Sequence, residues 1–71
     1  MSGPLHQRLL AAHASGDGRA LVGLYAEAAA IANSKDAACF FLTHAYVHAL
    51  EAGDARAAAL HAALKSEGRE A

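Results

Sequence analysis

The sequence predicts an all-α fold: four antiparallel helices arranged as two helix–turn–helix hairpins. Three observations carry that expectation. Apolar residues recur at helical spacing in four stretches. The stretches are divided by Gly16-Asp17, Asn33-Ser34 and Gly53-Asp54, each suited to ending one helix and starting the next. β-Branched residues are few and scattered, so no stretch reads as a strand. Connections this short force consecutive helices to pack antiparallel. The same lengths and turns suit a hairpin array and a four-helix bundle alike, which differ in crossing angle.

The first helix is expected over 4–15, with Pro4 at its first position and Ser2 or Gly3 as cap. Leu5, Leu9 and Ala12 share one face, with Leu10 beside them and His6 and His13 at the edge. The second is expected over 18–32, with Asp17 as its N-cap. Its stripe is Leu21, Leu24, Tyr25, Ala28 and Ala32, with Ile31 alongside. Arg19, Gly23 and Glu27 fall on the opposite side, expected to face solvent. Gly23 costs about 1 kcal/mol of helix propensity against Ala, so it either tolerates exposure or admits a close approach. Asn33 is expected to turn left-handed and Ser34 to cap the third helix.

The third helix, over 35–52, is the organising element. It holds both Phe, one of the two Tyr, the single Cys and two of the five His. It is apolar around most of its circumference and must be covered by neighbours or by a partner. His44, His48 and Glu51 interrupt the apolar arc in one narrow wedge, the side expected to meet water. The fourth helix is expected over 55–67, with Leu60 and Leu64 as its large anchors and Gly68 ending it; Arg69 to Ala71 should fray. The core would include Leu9, Leu21, Leu24, Tyr25, Leu42 and Leu60.

Seventy-one residues make a single small domain with a limited core. Apolar residues are 55%, but most of these are alanine, which favours helices and close packing over a thick core. A net charge of −1 leaves no basic footprint for nucleic acid. The single Cys fits a reducing compartment. No membrane span or signal peptide is read, so the expected location is cytoplasmic.

Registering the two Gly-Asp turns places Arg19 on Arg56 and Ala20 on Ala57, so one helix–turn–helix unit is used twice. Leu42, Thr43, Ala45 and Tyr46, followed by Gly53-Asp54 and Ala58, match the spacing of the tetratricopeptide repeat. The first unit matches at Gly16-Asp17, Tyr25 and Ala28. The chain resembles that family. It departs at Leu21, Ala62 and Lys65, in the extra turn between Tyr46 and Gly53, and in lacking a terminal Pro in both units. The resemblance implies a non-enzymatic scaffold that binds peptides or proteins. Two such units are fewer than an array commonly needs, so pairing, most simply as a homodimer, is expected.

Phe40 and Phe41 are adjacent and point about 100° apart on a helix. One should enter the intrachain core and the other a second surface. The expected partner-binding anchors are Phe40, Phe41, Tyr46, Val47 and Leu50. His44, His48 and Glu51, at i, i+4 and i+7, form the alternative candidate, a metal or ligand site. The zinc-protease motif is excluded because Ala45 stands where its Glu would follow the first His. No nucleophile–base arrangement or phosphate-binding loop appears, so neither a catalytic residue nor a cofactor is expected.

Overall fold

A computed structural model describes residues 3–68. Within it lie four helices and no strand: α1 (Gly3–Ser15), α2 (Gly18–Ala30), α3 (Lys35–Ala52) and α4 (Arg56–Ser66). The Ser2 cap and the fraying of residues 69–71 concern residues outside that range. Gly3 has φ 47°, so Pro4 is the first residue with helical geometry available to it. α2 and α4 are shorter than expected. α2 stops at Ala30 without a left-handed residue, since Asn33 keeps a negative φ.

The two Gly-Asp turns are built alike. Gly16 and Gly53 have φ 70° and 64°, the left-handed conformation that L side chains avoid. Asp17 N–H donates to the Ala12 carbonyl at 3.0 Å, and Gly16 N–H to His13 at 3.2 Å. Asp54 N–H donates to Ala49 at 2.8 Å, and Gly53 N–H to Leu50 at 3.3 Å. Both are Schellman closures, which satisfy carbonyls the helix end leaves open. The caps that follow differ. The Asp17 carboxylate accepts from Ala20 N–H at 3.1 Å, as expected of an N-cap. Asp54 does not cap α4 in that way; it accepts from Arg56 instead, through the backbone N–H at 2.9 Å and the guanidinium at 2.6 and 3.0 Å. Ser34 caps α3 through Ala37 N–H at 3.1 Å.

The helices pack in chain order. α1 lies on α2, α2 on α3 and α3 on α4, and α4 does not return to α1. The α2–α3 pair is the most extensive. The outcome is flat, with extents of 31 × 29 × 13 Å. The backbones of α2 and α4 do not come together; side chains bridge them. Val22 from α2 and Leu60 from α4 converge on Ala45 and Ala49 of α3, and Val22, Ala45 and Ala49 are fully inaccessible. Ala45 and Ala49 are one turn apart, so together they leave a shallow strip that two neighbours can approach closely. A second cluster joins α1 to α2 through Ala12, Leu21 and Leu24, with Leu5 and Leu9 partly covered. α2 is therefore buried on two sides, where its spacing suggested one. The side expected to be open is also crossed. Arg8 pairs with Glu27 through both carboxylate oxygens at 3.1 and 3.2 Å. The Arg56 guanidinium lies over Gly23 and donates to the Arg19 carbonyl at 3.0 Å. The close approach at Gly23 is thus made by a side chain of the same molecule.

Candidate functional site

The direction each residue of α3 takes follows from what covers the helix. α2 and α4 hold Ala45 and Ala49 between them. Rotating the helix to bury that strip turns the neighbouring positions toward α2 on one side and α4 on the other.

On the α2 side the two histidines of the polar wedge do not face open water, whereas Glu51 does. His44 and His48 are half-buried, and their rings stack on Tyr25 at 5.1 and 5.6 Å. Phe41 stacks on the same tyrosine at 6.3 Å. His13 of α1 shares a 2.9 Å hydrogen bond with the Tyr25 hydroxyl and meets the His48 ring edge-on at 5.9 Å. One aromatic column thus links α1, α2 and α3. It corrects the expectation that His44 and His48 form a solvated strip. Flat rings stack at modest gain while keeping a nitrogen edge toward water.

The metal arrangement expected of His44, His48 and Glu51 does not assemble. His48 Nδ1 lies 3.7 Å from Glu51, but His44 is engaged with Tyr25 and Phe40. Among the described residues, no three His, Cys, Asp or Glu side chains are placed to hold a metal ion.

On the α4 side, Tyr46 packs against the Val22–Leu60 cluster, with its ring 5.6 Å from that of His61. Cys39 is buried and free. Of the five expected anchors, Phe41 and Tyr46 therefore turn inward and are half-buried. The other three turn outward together. Phe40, Val47 and Leu50 expose 59%, 43% and 57% of their surface. The adjacent phenylalanines separate as their spacing requires, Phe41 inward and Phe40 outward.

Phe40, Thr43, Val47 and Leu50 lie within about 80° of the helix circumference and make one continuous stripe. The Thr43 hydroxyl donates to the Cys39 carbonyl at 2.8 Å, so it is satisfied within its own helix. The only charged residues on the same exposed arc are Asp36 and Glu51, near its two ends. Leu10, on α1, and Ile31, just past the end of α2, are also exposed but lie away from this stripe. Ile31, with Leu5, Leu9 and Phe41, borders an open groove of about 630 Å³ between α1, the end of α2 and the start of α3. A second open groove, of about 500 Å³, has Arg8, Glu27, Arg19 and Arg56 around Gly23, with Ala11, Ala20 and Leu24 also lining it.

Asp54 carries the strongest electrostatic perturbation. The side-chain hydrogen bond from Arg56, then the Arg56 backbone N–H, hold its carboxyl far below the usual carboxylate range. The same bond raises the Arg56 guanidinium. This pair fastens the second Gly-Asp turn and is remote from the outward stripe. Spacing alone could not reveal that Arg56 also reaches α2; the only hint was that Arg19 and Arg56 are repeat-related.

Among the described residues, no helix is long and apolar enough to cross a membrane. The chain matches no protein-family model, no curated protein and no solved structure.

Proposed function

We propose that the chain is a small, non-enzymatic protein-interaction module that docks protein, its own kind or another, on the outward face of α3. The observation that carries this is the exposure of Phe40, Val47 and Leu50 on one face of a helix that two neighbours cover on its other side. Single exposed apolar residues are ordinary, but an aligned row of them marks an interaction surface. The tetratricopeptide-like character belongs to the same proposal. Its support is the repeated Schellman turn and the packing of each helix on its sequence neighbour. A cytoplasmic location belongs to it as well, supported by a single buried thiol with no disulfide partner.

The test is photocrosslinking in the producing cell. A benzophenone amino acid at Phe40 or Leu50 should give one discrete protein adduct. The same group at Gln7, exposed on α1, should give none. Equal adducts from both helices, or none from α3, would remove the basis of the proposal.

A further inference from the structure

We infer that α1 is a hinged cover: it swings off α2 as a unit about Gly16-Asp17-Gly18 while α2, α3 and α4 stay folded, and so exposes Leu21 and Leu24. The device is independent of the docking role proposed for the outward row of α3.

What holds α1 decides it. Among its described residues only Ala12 is buried. Its backbone packs on α2 alone. The two open grooves described above both flank it. Leu5 and Leu9 border one, opposite Ile31 and Phe41. Arg8, Ala11 and Ser15 border the other, with Arg56 across it. The polar links are few. The Arg8–Glu27 pair is exposed on both sides and therefore weak. His13 adds its hydrogen bond to Tyr25 and its edge contact with His48.

α4 is fastened differently. Its backbone also packs on one neighbour, but Leu60 and Leu64 are buried, and Leu60 joins the Val22–Ala45–Ala49 cluster. Its turn is clamped as well, because Arg56 binds Asp54 and reaches the Arg19 carbonyl of α2. Arg19 holds the corresponding place after Gly16-Asp17. Its guanidinium makes no hydrogen bond or ion pair among the described residues. The Asp17 carboxylate is spent on Ala20 N–H, inside the α2 cap, and does not tie α1 down. The first turn is thus an unclamped copy of the second. A few turn residues of this kind can absorb the backbone rotation of a hinge.

The covered surface is apolar. Leu21 and Leu24 are 4% and 6% exposed in the closed form, against Leu5, Leu9 and Ala12. The cluster of Val22, Ala45, Ala49 and Leu60 contains no residue of α1, so the other three helices keep it when α1 lifts. An element with so few buried contacts opens at a lower free energy than the whole domain.

Amide hydrogen exchange of the full chain tests this. The central amides of α1, residues 8–12, should be protected and should exchange together, at least about tenfold faster than the slowest amides of α2 and α3. Low urea should quicken them less steeply than those of α2 and α3, because less surface is uncovered. Val22→Ala should quicken exchange in α2 and α3 about thirtyfold and leave α1 unchanged. Rates in α1 that rose with the rest in Val22→Ala, or equal protection through all four helices, would mean that α1 leaves only on global unfolding and would overturn the hinge. Unprotected α1 amides would overturn it from the other side, since no closed form would exist.

Discussion

Val22→Ala is the substitution that most directly tests how this domain is held together. Val22 is fully inaccessible and sits where α2, α3 and α4 converge, between Leu60 and the Ala45–Ala49 strip. Removing its two methyl groups forfeits about 1.6 kcal/mol of transfer free energy. A residual cavity of roughly 50 Å³ adds up to about 1.2 kcal/mol if the helices do not close over it. The alanine returns about 0.5 kcal/mol through its higher helix propensity. The net loss is about 2 kcal/mol, from a total stability of roughly 4–10 kcal/mol for a chain this long. Thermal unfolding followed by circular dichroism should show a fall of about 10 °C. Leu50→Ala is the control. Leu50 is larger than Val22 but 57% exposed, so its loss should stay within about 0.5 kcal/mol. If Val22→Ala cost no more than Leu50→Ala, the three helices would not converge on Val22 and the packing described here would be wrong.

The remaining expectations concern the turns and the Arg56 bridge. Gly16→Ala and Gly53→Ala should each cost about 1–2 kcal/mol, and by the same amount. Both have positive φ and an added Cβ meets nothing within 4 Å at either site, so unequal losses in urea unfolding would show that the two turns are not equivalent. Gly23→Ala should gain up to about 1 kcal/mol of helix propensity. In the wild-type background the gain should be smaller than in Arg56→Ala, because the new Cβ would lie 3.3 Å from the guanidinium. Equal gains in the two backgrounds would place Arg56 elsewhere. Asp54→Asn should destabilise the protein at neutral pH by removing the charge that binds Arg56. The native carboxyl is held low, so its contribution is complete above the unfolded value near pH 4 and declines as pH falls below it. The difference between Asp54→Asn and wild type should therefore be constant from about pH 5 upward and shrink progressively below about pH 4. A difference that shrank at higher pH would contradict the pairing.

The helices were legible because each is punctuated by chemistry with few alternatives. Gly16 and Gly53 take the left-handed residue that ends a helix, and Ser34 and Asp17 cap the next. Asn33 misled, since α2 ends before it and the connection to Ser34 needs no left-handed residue. The site was half legible. Adjacency alone required Phe40 and Phe41 to part, but not which would face out. Val22 escaped notice because it lies off the Leu21–Leu24–Ala28 stripe that packs toward α1. A helix gripped by neighbours on two sides has no single stripe for periodicity to report. The Arg56 bridge joins residues 37 apart in the chain, and nothing local signals it.

The polar wedge of α3 shows why an apolar row is left outside at all. Treated by hydropathy, His44 and His48 should have faced water and the larger apolar residues should have turned in. Packing decides otherwise. Two helices can close on α3 only where its side chains are small, and Ala45 and Ala49 supply that strip. With the strip buried, the helix can no longer rotate to hide every apolar position. His44 and His48 come to the α2 boundary, where flat rings fit against Tyr25, and Leu42 and Tyr46 come to the α4 boundary. Phe40, Val47 and Leu50 fall opposite the strip. Their exposure is therefore a consequence of close packing on the far side of the same helix. Enlarging Ala45 to Leu should show the dependence: overpacking of this kind costs about 1–3 kcal/mol, and it should alter the crosslinking expected from Phe40 and Leu50 along with stability. A variant that lost stability yet crosslinked like wild type would separate the two faces and show that the outward row is set by something other than the alanine strip.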